Sequence, residues 1–132
     1  MATPGKSVLL DTSVVVRHFR DSNALLSKLG AFEELYLPQA ALAELYAGAF
    51  RSAHPEKNLQ QIRRFLDAVD VLPHDESTPE FYGRVSAQLA RAGTLIPQND
   101  IWIAAVALQF DLPLATADRH FQHVAGLTVL LW

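Results

Sequence analysis

Four carboxylates in this sequence occupy positions where an acid is costly unless it has a partner. Asp11 and Asp118 each follow a short apolar run, Asp100 opens a longer one, and Glu44 is the only charged residue of the helix-like stretch 38–50. Charged side chains are almost never fully buried unless they are paired. We therefore expect these acids to converge on a divalent metal ion at a site that hydrolyses phosphodiester bonds.

Among the four acids, Glu44 has the sequence surroundings that most clearly indicate a role in a site. Its neighbours three and four positions away on a helix are all small, and they are Ala40, Ala41, Ala47 and Gly48. A lone acid on a face without bulky side chains indicates that Glu44 points into a cavity of a largely buried helix. The alternative is a solvated stripe that Glu44 shares with Gln39 and Arg51.

Each aspartate also has a simpler explanation when it is taken alone. Asp11 can end a strand or cap the helix that follows it, and Asp118 can belong to a turn or cap. Asp100 can interact with a helix dipole, next to Asn99 as the helix cap. The acids belong to separate elements of the fold. One site shared by all of them explains their occurrence better than an unrelated local role for each.

The cost of bringing four acids together favours a bound cation. Two like charges about 5 Å apart repel by roughly 3 kcal/mol at an effective dielectric constant of 20. A divalent ion removes that repulsion, and hard oxygen ligands suit Mg²⁺ or Mn²⁺. The chain contains no cysteine, which excludes disulfides, thiolate catalysis and cysteine-bound zinc.

The composition is that of a globular chain. Of 132 residues, 50% are hydrophobic and 19% are charged, which suits one domain spanning residues 1–132 with a sizeable core. The net charge of -3 argues weakly against a non-specific polyanion binder, although bound metal reverses the local sign at an acidic site. No apolar run is long enough to span a membrane, and the N-terminus lacks the pattern of a signal peptide, so we expect a cytoplasmic protein.

Short apolar runs alternate with stretches of helical periodicity. The runs predict strands at 7–10, 34–37, 71–72, 114–116 and 127–131, and the stretches predict helices at 14–19, 22–30, 38–50, 59–69, 78–93 and from 100 onwards. This alternation predicts an α/β fold with a central parallel β-sheet and α-helices on both faces. Ligands of such sheets bind beyond the carboxyl ends of the strands, where Asp11 and Asp118 are expected.

Several other side chains have both a functional and an ordinary interpretation. His120 and His123 have the spacing of one helical face beside Asp118, but we interpret them as surface or loop residues. Arginines that could contact phosphates are Arg17, Arg20, Arg91 and Arg119. Trp102 is interpreted as a core or interface residue rather than a platform for base stacking.

The motifs around the four acids resemble those of the PIN-domain ribonucleases, and especially the VapC-type toxins of toxin–antitoxin pairs. The matching segments are Leu9-Leu10-Asp11-Thr12-Ser13, Ala43-Glu44-Leu45-Tyr46-Ala47-Gly48, Asn99-Asp100-Ile101-Trp102-Ile103-Ala104-Ala105 and Thr116-Ala117-Asp118-Arg119-His120-Phe121. Each motif alone is weak, but their order and spacing are specific. The resemblance extends over essentially the whole chain.

The resemblance implies a PIN-like fold and a metal-dependent endoribonuclease that uses Mg²⁺ or Mn²⁺. It implies that Asp11, Asp100 and Asp118 bind the metal and that Glu44 is the fourth catalytic acid. The residues expected to support these acids are Thr12, Ser13, Asn99 and Thr116. It also implies an RNA substrate, a cognate VapB-type antitoxin and a homodimer. Some family members carry a further acid shortly after the last aspartate, where this chain has Arg119 and His120.

Other functions remain open from the residues alone. A haloacid-dehalogenase-like phosphatase also places an aspartate after a strand, but it requires a second aspartate where this chain has Ser13. A receiver-like domain requires a lysine late in the chain, and the lysines here come earlier. A catalytically silent PIN-like module that only binds a protein partner is the alternative from a different class.

Overall fold

A computed structural model describes residues 6–132 of the chain. The expectation that the N-terminus lacks a signal peptide concerns residues that lie largely outside this range. The strands are β1 (Ser7–Leu10), β2 (Glu34–Pro38), β3 (Asp70–Leu72), β4 (Leu114–Thr116) and β5 (Val129–Leu131). The helices are α1 (Thr12–Arg20), α2 (Leu26–Gly30), α3 (Gln39–Arg51), α4 (Pro55–Leu66), α5 (Thr78–Ala92) and α6 (Gln98–Gln109), and a 3₁₀ helix spans Arg119–His123.

The five strands form one parallel sheet in the order β3-β2-β1-β4-β5. Strand β1 is central, with Leu9 paired to Tyr36 of β2 on one side and to Leu114 of β4 on the other. The chain order reverses at β1, and the crevice beyond the carboxyl ends of strands at such a point is a usual ligand site. The predicted parallel sheet flanked by helices is confirmed.

Burial explains why the central elements form where they do. Val8, Leu9 and Leu10 are fully buried, as continuous apolar runs are in a parallel sheet covered by helices. In α6 the residues Ile103 to Ala107 are also buried, so this helix lies inside the fold and is apolar on nearly all sides. The acids Asp11 and Asp100 are therefore attached to buried elements of the core.

Several predicted boundaries were wrong. Helix α2 begins at Leu26 rather than at residue 22, and α4 spans Pro55–Leu66 rather than 59–69. The last strand begins at Val129, although the Leu114 amide still donates to the Thr128 carbonyl. At the start of α5, the carboxylate of Asp75 accepts hydrogen bonds from the amides of Ser77 and Thr78. Within residues 6–132 no helix is long and apolar enough to cross a membrane.

Candidate active site

All four predicted acids line one open pocket of about 570 Å³ at the carboxyl edge of the sheet. Asp11 follows β1, Asp118 follows β4, Glu44 lies on α3 and Asp100 lies in the first turn of α6. The other lining residues are Thr12, Ser13, Val16, Arg17, Arg20, Pro97, Asn99 and Ala117. The fold thus brings the acids of four separate elements together, as the sequence predicted.

Asp11 is buried and held by two hydroxyl groups. The Ser13 hydroxyl donates to its Oδ2 atom at 2.7 Å, and the Thr116 hydroxyl donates to the same atom at 2.8 Å. Burial raises the pKa of Asp11, the two hydroxyls oppose that rise, and the charge of Asp118 adds to it. Although Asp11 precedes α1, its side chain makes no capping hydrogen bond to that helix.

The same two hydroxyls also fix the end of β4 against Asp11. Ser13 accepts a hydrogen bond from the Ala117 amide at 3.1 Å, and Thr116 accepts one from the Asp118 amide at 2.9 Å. Each hydroxyl therefore joins the first acid to the backbone that carries the last one. The expected supporting position of Ser13 and Thr116 agrees with these contacts.

Glu44 is exposed to solvent on a helix whose opposite side is buried, so its surroundings are more open than the sequence suggested. Its Oε1 atom accepts a hydrogen bond from the Thr12 hydroxyl at 3.1 Å and a short one from the Asn99 side-chain amide. Asn99 also donates to the Ala40 carbonyl at 3.1 Å. Asn99 thus connects α6 to α3, and the alternative in which it caps α6 is wrong.

His120 makes a close contact with one of the acids that the sequence interpretation missed. Its Nε2 atom lies 2.8 Å from Oδ2 of Asp100, and the two side chains are only 33% and 15% exposed. The interpretation of His120 as a surface or loop residue did not include this contact, whereas His123 is exposed as expected. Its position two residues after Asp118 was the available signal, since the 3₁₀ helix turns this ring back toward the acids.

Asp100 shows how strongly the acids act on one another. Burial raises its pKa from 3.8 to about 6, and the charges of Asp11 and Glu44 add to the rise. His120 opposes that rise through its charge and its hydrogen bond. A carboxylate with this pKa is destabilising at neutral pH unless a cation compensates for it.

The site is suited to a hard divalent cation by the chemistry of its donors. Carboxylate oxygens come from four elements, and no sulfur ligand competes with them. Among residues 6–132, no three histidine or acidic side chains are arranged as a ready-made metal cage. Each of Asp11, Glu44 and Asp100 is held by its own neighbours, so binding requires small side-chain rearrangements.

The pKa of Asp100 predicts a pH dependence of stability. Between its ordinary pKa of 3.8 and its folded value of about 6, the folded chain binds more protons than the unfolded chain. In chelator, wild-type stability should therefore fall as pH rises through this range, and Asp100→Asn should lack that component of the fall. Thermal melts of both proteins across the range measure the difference. If the melting temperatures of wild type and Asp100→Asn changed with pH in parallel, the raised pKa would not belong to Asp100, because all other titrating groups are present in both proteins.

Only two of the four candidate phosphate-binding arginines lie at the pocket. Arg17 and Arg20, one helical turn apart on α1, line it, whereas Arg91 and Arg119 are exposed elsewhere. Trp102 packs against the rings of His74 and Tyr82, with centroid distances of 4.6 and 4.2 Å. These two ring contacts agree with a packing role.

Comparison with known proteins gives the family. The PIN domain family model matches residues 8–127. Ribonuclease VapC2 of Haemophilus influenzae is 32% identical, with 94% of this chain and 96% of the relative covered. Ribonuclease VapC5 of Mycobacterium tuberculosis is 30% identical, with 96% and 93% covered. The structure of VapBC-1 from nontypeable Haemophilus influenzae superposes with a TM-score of 0.86 at 26% identity, covering 96% of this chain and 98% of that one.

These matches extend over nearly the full length of the chain, and the range that the family model matches spans the positions of all four acids of the pocket. The chain therefore belongs to the PIN-domain family and, within it, to the VapC group of ribonucleases.

Proposed function

We propose that this protein is a divalent-metal-dependent endoribonuclease and the toxin of a VapBC-type toxin–antitoxin pair. The observation that supports this most directly is the convergence of Asp11, Glu44, Asp100 and Asp118 in one open pocket. The names of the relatives point to the same chemistry, since several are ribonucleases and one from Shigella flexneri is a tRNA(fMet)-specific endonuclease.

In this proposal the position of each acid determines its role in metal binding or in orienting the water molecule. Asp11, Asp100 and Asp118 would hold Mg²⁺ or Mn²⁺, and the bound ion would polarise a phosphate oxygen and lower the pKa of a water molecule. Ser13 and Thr116 keep Asp11 in its orientation through their hydrogen bonds. Thr12 and Asn99 engage one oxygen of Glu44, so its Oε2 atom is left to orient the attacking water and accept its proton.

The arginines of α1 give the pocket a second property that RNA cleavage requires. Arg17 and Arg20 are exposed and lie on the wall beside the acids. Guanidinium groups bind phosphate oxygens in a two-point geometry, so these residues are placed to hold the phosphates next to the scissile one. Basic side chains beside an acidic centre also explain how a chain with net charge -3 binds RNA.

Metal addition tests the proposed function. Binding to the folded state alone should stabilise the protein by about 2.7 kcal/mol at a hundredfold excess over the dissociation constant, because the ion removes repulsion among the acids. We expect Mn²⁺ or Mg²⁺ to raise the melting temperature and to start RNA cleavage, and a chelator to reverse both. Ca²⁺ and buffer alone serve as controls. If neither the melting temperature nor RNA cleavage changed on addition of metal or chelator, the proposal would be excluded.

The groove next to the acid pocket is proposed to bind the antitoxin. It lies between α1, α3 and α4, and it shares Val16, Arg20 and Glu44 with the acid pocket. The remaining lining is mostly apolar and consists of Phe19, Leu45, Gly48, Ala49, Asn58, Gln61 and Ile62. The VapBC-1 structure supports a VapB-type antitoxin as the occupant. An apolar segment along this groove would bring its own polar residues to the acids.

Gly48 offers a clean test of the groove. It is exposed in α3, and a Cβ atom added there meets no atom within 4 Å, so Gly48→Gln starts a side chain at the groove from an unobstructed position. The variant should bind the antitoxin at least about tenfold more weakly, and helix propensity should stabilise it by up to about 1 kcal/mol. Gly83→Gln in α5 is the matched control, since Gly83 is also helical and unobstructed but lies outside the groove. Titration calorimetry with the product of the adjacent antitoxin gene gives both affinities, and equal affinities would place the antitoxin elsewhere.

Three further expectations complete the proposal. Residues 1–132 form one PIN-like domain, the protein works in the cytoplasm, and it forms a homodimer. Exposed apolar side chains outside the groove, such as Leu95 at 65% and Phe110 at 42%, support an additional protein contact. Light scattering of the purified chain measures the oligomeric state.

A further inference from the structure

The groove between α1, α3 and α4 carries two side-chain amides whose orientation the protein fixes. Nδ2 of Asn58 donates to the Ser52 hydroxyl oxygen at 2.8 Å, and that hydroxyl donates its own proton to the Ala49 carbonyl at 2.7 Å. Nε2 of Gln61 donates to the Phe19 carbonyl at 3.1 Å. Because both partners act as acceptors, the nitrogen of each amide must face the protein, and its carbonyl oxygen is turned the other way.

The same groove is continuous with the acid pocket. Its volume is about 390 Å³, within the range of about 300–1,000 Å³ that is usual for small-ligand sites, and Val16, Arg20 and Glu44 line both cavities. Arg20 is exposed at this junction, where a guanidinium binds a phosphate well. A nucleotide with its phosphate on Arg20 would therefore place its base in the groove, where Asn58 and Gln61 lie.

We propose that this groove is a nucleobase subsite for the nucleotide next to the scissile phosphate, and that it selects bases with an exocyclic amino group. This inference rests on the proposed ribonuclease function. The carbonyl oxygens of Asn58 and Gln61 accept from the amino groups of adenine, cytosine or guanine, and uracil has no such group. The half-buried Phe19 ring, nearly perpendicular to that of Phe65 with centroids 5.6 Å apart, adds an aromatic surface for stacking. An antitoxin segment in the groove would displace the base.

Side-chain amide signals in nuclear magnetic resonance spectra test the subsite without any cleavage. In Mg²⁺, adenosine 5′-monophosphate should shift the amide signals of Asn58 and Gln61. Purine riboside 5′-monophosphate lacks only the amino group, so it should bind at least about fivefold more weakly. Gln60 is exposed on the same helix outside the groove, and its amide signal is the internal reference that should not move.

A pair of variants carries the test to RNA. Gln61→Met keeps the length of the side chain and removes its carbonyl oxygen, and Gln60→Met is the matched control. Wild type and Gln60→Met should cleave RNA with adenine beside the cut at least about fivefold faster than RNA with purine there. Gln61→Met should lose most of that difference. Melting curves show whether Gln61→Met folds, and if it does not, the titration of wild type decides alone.

The outcomes separate this inference from the proposed function. Equal affinities for the two monophosphates, or shifts only outside the groove, would overturn the subsite and leave a metal-dependent ribonuclease intact. An equal preference for adenine in Gln61→Met and Gln60→Met would do the same. Absence of any metal-dependent cleavage by wild type would instead overturn the proposed function.

Discussion

Replacement of Asp11 by Asn should lower RNA cleavage by at least about 100-fold, because a metal ligand supplies several kcal/mol of transition-state stabilisation and each 1.4 kcal/mol is tenfold in rate. The fold should tolerate the change. The amide oxygen still accepts from Ser13 and Thr116, which now hold Oδ2 at 2.7 and 2.8 Å. Burial raises the pKa of Asp11, so loss of the charge should keep or increase stability without metal.

The measurement is single-turnover cleavage of RNA in Mn²⁺, together with melting temperature in chelator. Asp67→Asn is the matched control, since Asp67 is exposed at the end of α4 and lies outside both pockets. It should cleave as wild type does. If Asp11→Asn retained full cleavage while remaining folded, the pocket would not be the catalytic centre.

The positions of the acids were predictable because local sequence rules apply to them. Asp11 follows a fully apolar strand, and the carboxyl ends of parallel strands necessarily meet at one edge of the sheet. The spacing of small residues around Glu44 similarly indicated that its side chain has room, and it lines the pocket. These inferences need only strand direction, helical periodicity and the cost of a charge near the core.

The contacts between elements were not predictable in the same way. His120 reaches Asp100 across the space between the 3₁₀ helix and α6, and no periodicity within either segment specifies that distance. Asn99 matches the pattern of a helix cap, but its amide reaches Glu44 on another helix. Short polar side chains near a helix start have several possible partners, and tertiary packing decides among them.

The alternatives to a nuclease are less compatible with the same details. Ser13 stands where a phosphatase of the haloacid-dehalogenase type requires its second aspartate, and it serves Asp11 as a hydrogen-bond donor. A silent binding module would have no need for buried hydroxyls that orient an acid. The costly group is the buried carboxylate of Asp11, on which Thr116 holds its hydroxyl, and a role of Asp11 in holding a ligand explains that cost.

Replacement of Glu44 by Gln should separate stability from activity. The change removes one charge that raises the pKa of Asp100, and the amide keeps an oxygen for Thr12 and Asn99. Stability in chelator should therefore rise or stay level, while cleavage falls by at least about tenfold because the attacking water loses its acceptor. Glu56→Gln, at an exposed position in the first turn of α4, should leave cleavage unchanged and should lower stability by at most about 1 kcal/mol, because an acid there favours the helix dipole.

Paired measurement of the two quantities distinguishes the roles of Glu44. A solvated surface glutamate predicts little change in melting temperature or cleavage, whereas a structural glutamate predicts that both fall together. An active-site acid that repels its neighbours predicts opposite signs, since the charge that favours the reaction opposes the fold. Unchanged cleavage in Mn²⁺ would remove Glu44 from the mechanism. The chemistry would then rest on the three aspartates, with Asp118 as the acid left to orient the water.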